Sequence, residues 1–100
     1  MNDDPASPST QAASAVIADD ERLLREQLRA RLADAWPALR IVAEARDGDE
    51  AVELTATHRP DVVFLDIRMP GTGGIEAAQR ILRLDVATGA APPLLVFITA

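Results

Sequence analysis

Three aspartates and one threonine stand at the ends of short apolar runs, where their side chains could act together. Asp19 and Asp20 follow "AVIA", Asp66 follows "VVFL" and Thr99 follows "LLVFI". A buried carboxylate has a desolvation cost of several kcal/mol unless it is paired, bound to metal or placed at the open end of a strand. Asp66 therefore predicts a site in which other groups or a cation meet its charge.

The chain around these residues alternates between apolar runs and amphipathic stretches. Leu24, Leu28 and Leu32 repeat every three to four residues, which is typical of a helix with one apolar face, and Arg25 is predicted to face elsewhere. The whole pattern predicts four strands, at 15–18, 39–45, 61–66 and 94–99. It also predicts three helices. The first spans 21–35, the second begins after a cap at Asp47 and a turn at Gly48 and is closed by Pro60, and the third spans 74–84 and is followed by a loop at 85–93.

Strands that alternate with helices favour an α/β fold, with a doubly wound parallel sheet covered by helices on both faces. The third strand is apolar on both faces and is therefore expected to be buried on both sides. Ligands of such sheets bind outside the carboxyl ends of the strands. If the first, third and fourth strands are neighbours, the three aspartates and Thr99 meet at one edge. Clustered carboxylates repel one another, and Mg²⁺ is the hard cation that suits such oxygen ligands.

Four segments together resemble the receiver domain of bacterial two-component response regulators. They are "VIADDE", "EARDGDEAVEL", "FLDIRMPGTGG" and "VFITA", and the resemblance runs from about Ala15 to the last residue. The amino-acid sequences of the second and third segments are most similar to those of LytTR-type regulators. The resemblance implies a flavodoxin-like sheet of order 2-1-3-4, in which the family's fifth strand and last two helices are missing. We therefore expect the chain to be a receiver truncated after its fourth strand.

The resemblance also implies roles for individual residues. Asp66 is expected to accept a phosphoryl group from the phosphohistidine of a sensor histidine kinase. Asp20 and Asp66 are expected to bind Mg²⁺, Asp20 directly, while Asp19 holds the ion through water and the backbone carbonyl of Arg68 is the third protein ligand. Thr99 is expected to hydrogen-bond the phosphoryl group and to report it by moving.

The loop after the third strand carries the rest of the family pattern in Met69, Pro70 and Gly74. One departure is Gly73, which stands where family members commonly have an acid. A larger departure is the lysine at the end of the family's fifth strand, since this sequence contains no Lys and its ten basic residues are all arginines. Without a fifth strand, one edge of the fourth strand is expected to be exposed, and self-association through this edge is predicted.

Composition narrows the classes of function. The net charge of −6 opposes direct contact with nucleic acid from this segment, because binding to DNA needs a basic face. No apolar run reaches the roughly 18 residues of a membrane span, no signal peptide is evident and no Cys occurs, so a cytoplasmic protein is expected. Residues 1–13 are predicted to be a disordered lead-in, and residues 14–100 to form the receiver domain.

Two functions of different class remain open. The first is a phosphoacceptor receiver, not itself an enzyme, that relays its phosphoryl group to an output domain outside this chain. The second is a non-signalling remnant or a kinase-docking module that binds protein without completing the switch. A nucleotide-binding loop at "GTGG" is disfavoured because Glu76 stands at the third glycine position of that motif. A phosphatase of the haloacid dehalogenase type is disfavoured because Arg68 stands where that family has a second Asp.

Overall fold

A parallel sheet flanked by three helices forms the part of the chain that the computed structural model describes, residues 12–99. Its elements are, in order, β1 (Ser14–Ala18), α1 (Arg22–Ala35), β2 (Arg40–Ala45), α2 (Gly48–His58), β3 (Val62–Asp66), α3 (Gly74–Thr88) and β4 (Leu94–Ile98). Most of the predicted lead-in lies outside the described residues, and its disorder stays a prediction. No helix within 12–99 is both long enough and apolar enough to span a membrane.

The strands lie side by side in the order β2-β1-β3-β4, and each neighbouring pair is parallel. This confirms the predicted flavodoxin-like arrangement. Ala18 stands opposite Leu65, and Asp66 stands opposite Ile98, so the carboxyl ends of β1, β3 and β4 reach the same edge. At the other end, Ser14 and Asp61 fix the β1–β3 register. The Ser14 N–H donates to Asp61 Oδ2 at 2.8 Å, and the Asp61 N–H donates to the Ser14 carbonyl at 2.9 Å.

Side chains that alternate along the strands divide the core into two layers, one on each face of the sheet. The layer under α2 and α3 is the larger one and is built mainly on alternate residues of β1 and β3 together with both helices. Its buried strand members are Val16, Ala18, Ala45, Val63 and Leu65. The layer under α1 contains Ala15, Ile17, Val62 and Phe64. All five residues of β3 are buried, as predicted for a central strand. Helix α1 buries no residue completely, whereas α2 and α3 bury four each.

Helix α2 begins as predicted at Asp47, whose Oδ1 accepts the Glu50 N–H at 2.8 Å. The role predicted for Gly48 differs, because this glycine is the first residue of the helix and not a turn residue. A Cβ at this position would overlap the backbone carbonyl of Thr72, so the absence of a side chain lets the two segments touch. The helix ends at Arg59, which adopts the left-handed conformation with φ of 47°.

Helix α3 is one turn longer than predicted, and the first four residues assigned to the following loop are helical. The Thr88 hydroxyl donates to the Leu84 carbonyl at 3.0 Å, and Gly89 ends the helix with a φ of 75°. Strand β4 ends at Ile98, one residue earlier than predicted. As expected for a strand with one open edge, it pairs only with β3 in the described chain, and Leu94 and Phe97 are 64% and 44% exposed.

Candidate functional site

Three of the predicted acids meet at the carboxyl edge of the sheet. One carboxylate oxygen from each of Asp19, Asp20 and Asp66 lies within 4.8 Å of the others. Asp19 and Asp66 are 6% and 7% exposed, whereas Asp20 is open to solvent. The pairing of β1 with β3 produces this arrangement, because Asp19 and Asp66 each follow a member of the Ala18–Leu65 pair. We call these three residues the acidic cluster.

The local backbone holds Asp19 in place. Its Oδ1 accepts the Glu21 N–H at 2.9 Å, and its own carbonyl accepts a hydrogen bond from Arg25 Nη1 at 2.8 Å. Burial raises the pKa of Asp19, and repulsion from Asp66 and Asp20 raises it further, while the Glu21 N–H acts in the opposite direction. The ionised carboxylate is therefore held at a cost, and a bound cation would remove that cost.

Asp66 is positioned at the start of the β3–α3 loop, residues 67–73. Its Oδ1 accepts the Arg68 N–H at 3.1 Å, the only hydrogen bond to this carboxylate within residues 12–99. The loop then folds back, since the Gly74 N–H donates to the Ile67 carbonyl at 3.1 Å. A Cβ on Gly74 would overlap the Asp66 carbonyl, which explains why a glycine begins α3. One oxygen of Asp66 is thus oriented while the other accepts no hydrogen bond from the described protein.

The remaining predicted site residues lie around the cluster and differ in environment. Met69 is 8% exposed and packs in the core under α2 and α3, whereas Pro70 and the Arg68 side chain are exposed. Thr99 follows Ile98, the register partner of Asp66, so it lies at the same sheet edge, where it is exposed. The structure therefore brings the three carboxylates together and places Thr99 one residue beyond the strand that flanks them.

A second group of residues, which the sequence did not indicate, holds the same loop from its other side. The Thr72 hydroxyl donates to Asp49 Oδ1 at 2.9 Å, and Arg80 Nη1 donates to the same oxygen at 2.6 Å. These hydrogen bonds to Arg80 and Thr72 lower the pKa of Asp49. Asp49 belongs to α2, Thr72 to the loop and Arg80 to α3, so we call the three residues the clamp. Together with the contact at Gly48, the clamp joins the loop to both helices.

Arg25 is a further residue whose position was predicted wrongly. Its side chain is only 11% exposed, and its Nε donates to Glu44 Oε1 at 3.2 Å while Nη1 reaches the Asp19 carbonyl. The guanidinium does not face away from the fold but links α1, β2 and the loop that carries two acids. Periodicity missed this contact because an arginine beside an apolar stripe can bend its charged end toward a nearby carbonyl.

The arrangement can bind a hard divalent cation. Carboxylate oxygens from three acids converge within 4.8 Å of one another, and two of the acids are buried. Arg25 reaches the Asp19 carbonyl and Glu44 rather than these carboxylates, and Arg80 reaches Asp49. Metal ions that prefer oxygen ligands, Mg²⁺ and Ca²⁺, fit such a set. The unshared oxygen of Asp66 is at the same time a candidate nucleophile.

Comparison with known proteins adds three kinds of similarity. The family model described as the response regulator receiver domain matches residues 15–100. An uncharacterized response regulatory protein of Vibrio cholerae is 53% identical over 90 residues, which are 90% of this chain and 33% of that protein. The transcriptional regulatory protein PdtaR of Mycobacterium tuberculosis is 44% identical over 85 residues, which are 80% of this chain and 40% of that protein. The chain thus spans well under half of these relatives.

Two solved structures superpose on most of this chain. The response regulator domain of Thermotoga maritima CheB superposes with a TM-score of 0.74 and 32% identity, over 88% of this chain and 60% of that chain. A chain of the CheX–CheY–BeF₃–Mg complex from Borrelia burgdorferi superposes with a TM-score of 0.71 and 30% identity, over 88% of this chain and 62% of that chain.

Proposed function

This chain belongs to the response regulator receiver domain family, and from that premise we propose that Asp66 is the residue that accepts a phosphoryl group from the phosphohistidine of a sensor histidine kinase. One observation carries the assignment. Asp66 ends the central strand β3, it is only 7% exposed, and its Oδ1 is held by the Arg68 N–H while the second oxygen accepts no hydrogen bond within the described chain.

The reaction is a transfer between two protein side chains. The unshared oxygen of Asp66 attacks phosphorus in line with the P–N bond of phosphohistidine; an O–P bond forms, the P–N bond breaks, and the imidazole takes up a proton from solvent. Catalysis of such a step is mainly positioning and neutralisation of charge. The chain is in this scheme the phosphoacceptor, modified once per event, and not an enzyme that turns over substrate.

Mg²⁺ is the cation we propose for the acidic cluster. When bound, it neutralises charge on the phosphoryl oxygens. Asp20, the exposed member, is suited to bind the ion directly, and Asp19, whose Oδ1 already accepts a backbone N–H, is suited to hold it through water. Asp66 and the Arg68 carbonyl complete the proposed ligand set. The hydrogen bond from the Arg68 N–H to Asp66 holds the Arg68 backbone beside the acidic cluster. The Borrelia CheY complex contains Mg²⁺ and BeF₃, which supports the choice of ion.

Thr99 is proposed to hydrogen-bond the phosphoryl group after transfer. The support is its place one residue beyond Ile98, which pairs with Asp66 across the β3–β4 ladder. Met69, Pro70 and Gly74 are proposed to give the β3–α3 loop its shape, Met69 as a buried anchor and Gly74 by its close approach to the Asp66 carbonyl.

The test is phosphorylation of the 100-residue chain by acetyl phosphate, with and without Mg²⁺, followed by intact-mass measurement. We expect Mg²⁺-dependent addition of one phosphoryl group, which hydroxylamine releases because the product is an acyl phosphate. Asp66→Asn should abolish the addition. Asp34→Asn removes an exposed acid of α1 and is the matched control that should react like the parent.

Binding of BeF₃⁻ and Mg²⁺, followed by NMR, separates the two functions left open by the sequence. A folded chain that binds Mg²⁺ but neither BeF₃⁻ nor a phosphoryl group would refute the phosphoacceptor assignment and favour a kinase-docking module. Modification that persists in Asp66→Asn would place the acceptor elsewhere.

Partners follow from the same proposal. We propose a sensor histidine kinase as phosphoryl donor, and an output that regulates transcription through a domain outside these residues, as the name of the Mycobacterium relative suggests. The net charge of −6 supports contact with DNA only through that domain. A cytoplasmic location is proposed because kinase phosphohistidines are made from ATP there.

Self-association is proposed at the outer edge of β4. In the described part of the chain this strand has one neighbour, and its Leu94 and Phe97 side chains are 64% and 44% exposed. An uncovered apolar edge offers backbone groups to a second copy. Light scattering over a range of concentrations should show a dimer that Phe97→Lys weakens, whereas a monomer at every concentration would contradict it.

A further inference from the structure

A small pocket lies between α2 and α3 at the end of the sheet opposite to the acidic cluster. It encloses about 100 Å³. Its walls are mostly apolar, from Val52 and Ala56 of α2, Ile81 and Leu84 of α3, and Pro60 and Pro93 before the strands. We call it the lower pocket. Sites for drug-sized ligands are several times larger, so this one suits a ligand of a few non-hydrogen atoms.

Within residues 12–99, two polar atoms in this pocket have no hydrogen-bond partner. They are Thr55 Oγ1 and Asp85 Oδ2, and both are buried. Thr55 as a residue is only 6% exposed. Buried polar atoms are almost always hydrogen-bonded, so two unpaired ones that line the same cavity indicate a missing partner. A carboxylate oxygen accepts hydrogen bonds, so the partner of Asp85 Oδ2 must be a donor, whereas the Thr55 hydroxyl can bond to a donor or to an acceptor.

The backbone around the pocket favours a positive ligand. Helix α2 ends at Arg59 and helix α3 ends at Gly89, and the pocket is lined by the last turns of both, including Arg59 and Thr88. The carboxyl end of a helix carries a partial negative charge. The two helix ends and the Asp85 carboxylate therefore add up to a negative field. The Arg59 side chain is the one competing cation among the lining residues.

We propose that the lower pocket binds the ammonium or guanidinium group of an organic cation. The N–H groups of that cation bond to Asp85 Oδ2 and Thr55 Oγ1, and its short apolar part packs against Ile81 and Leu84. The site is independent of phosphoryl chemistry at the opposite edge. Ordered water would also donate hydrogen bonds, but it carries no charge to meet the carboxylate and the helix ends.

Methylguanidinium is the probe, titrated into the 100-residue chain and followed by amide NMR at constant ionic strength. We expect saturable shifts confined to the residues that line the lower pocket. Methylurea has nearly the same shape without charge and should produce no saturable shifts. Asp85→Asn should weaken the binding of methylguanidinium about tenfold, since hydrogen bonds to a charged acceptor are the stronger ones. Thr55→Val, which keeps the shape, should weaken it by roughly threefold.

A second variant and a second probe test the same proposal independently of Asp85→Asn. Arg59→Ala removes the competing cation and should tighten binding by roughly threefold, so the proposal can be tested even if Asp85→Asn unfolds. Arginine with blocked amino and carboxyl groups mimics a protein side chain, whose backbone must stay outside the pocket. Its binding would identify a protein side chain as the source of the cation, whereas binding of methylguanidinium alone would identify a small free solute. Shifts that do not saturate, equal binding of methylurea, or unchanged binding in Asp85→Asn would each overturn the proposal and leave a pocket that holds water only.

Discussion

The acidic cluster and the clamp flank the same loop, yet they treat an aspartate in opposite ways. In the cluster, burial and the nearby Asp66 and Asp20 raise the pKa of Asp19. In the clamp, hydrogen bonds from Arg80 and Thr72 lower the pKa of Asp49. The clamp contains its own cation, Arg80, whereas no basic side chain in the described chain donates a hydrogen bond to the carboxylates of the cluster, which suits the cluster to the proposed cation. One loop is thus held by hydrogen bonds to a cation on one side and flanked by mutually repelling carboxylates on the other.

Each region also depends on a glycine that touches a backbone carbonyl. Gly74 contacts the carbonyl of Asp66 on the cluster side, and Gly48 contacts the carbonyl of Thr72 on the clamp side. Neither glycine has a positive φ, since among the described glycines only Gly71 and Gly89 do. Close approach, and not conformational freedom, therefore explains both residues. The four predictions that follow test these two regions against each other.

The largest effect is expected from a methyl group at either contact. Gly74→Ala or Gly48→Ala should lower the free energy of unfolding by about 2 kcal/mol or more, because backbone atoms must move to admit it. Urea unfolding measures the change. Gly73→Ala is the matched control, since its added Cβ would lie 3.1 Å from the Ile67 carbonyl and should cost less. Equal losses at all three positions would contradict the close contacts.

The next effect separates stability from binding within the cluster. Asp19→Asn keeps the acceptor for the Glu21 N–H but removes a buried charge, so the metal-free chain should gain on the order of 1 kcal/mol in unfolding free energy. The same change should weaken Mg²⁺ binding about tenfold or more. Asp34→Asn should alter neither quantity. A metal-free variant no more stable than the parent would show that Asp19 is not held at a cost.

Acid pH should move the two regions in opposite directions. Folding raises the pKa of Asp19, so its ionised carboxylate destabilises the folded chain at pH values above the folded-state pKa. This destabilisation disappears as the pH falls through the folded-state pKa towards 3.8. Because folding lowers the pKa of Asp49, its contribution to stability is complete above 3.8 and is lost as the pH falls from there through the folded value. Urea unfolding at a series of pH values should show Asp19→Asn without the first change and Asp49→Asn without the second. Variants with the same profile as the parent would refute both assignments.

The smallest effect is expected when the clamp loses its cation. Arg80→Ala leaves Asp49 bonded only to Thr72, so the loop should move more and Mg²⁺ affinity should fall by roughly threefold, since exposed ion pairs contribute little. Arg22→Ala breaks the exposed pair with Glu26, 3.0 Å long and remote on α1, and should leave affinity unchanged. Isothermal titration measures the affinity of both variants and of the parent for Mg²⁺. Equal effects of both variants would mean that the clamp does not act on the site.

Local patterns predicted the strands and the acids at their ends, whereas the meeting of those acids also required the first, third and fourth strands to be neighbours. Apolar runs that stop at charged residues mark strand ends, and a parallel sheet collects those ends at one edge. The strand order came from the family resemblance. The roles of Asp20, Arg68 and Thr99 stay predictions, since the structure fixes where these residues lie and not what they bind, and the LytTR-type subclass stays a prediction as well.

Other features depend on contacts that no local pattern contains. Asp49 and Arg80 lie 31 positions apart, and their pairing requires α2 and α3 to pack side by side. The last turn of α3 looked like a loop because it contains Asp85, Val86 and Thr88, yet the Thr88 hydroxyl satisfies the Leu84 carbonyl inside the helix.

The hydrogen bonds between Ser14 and Asp61, 47 positions apart, join β1 to the residue that precedes β3, so β1 cannot pair with β3 until that segment has been synthesised. During synthesis, β1 emerges from the ribosome a few seconds before β3, at ordinary elongation rates. Until β3 arrives, Asp19 and Asp20 are hydrated acids on a flexible nascent segment and lack their third partner. Parallel strand pairs between distant segments also form slowly. Under the proposed function, the ligands for Mg²⁺ come together late and the ion would bind a domain that has already folded, so a chelator should remove the ion without unfolding the chain.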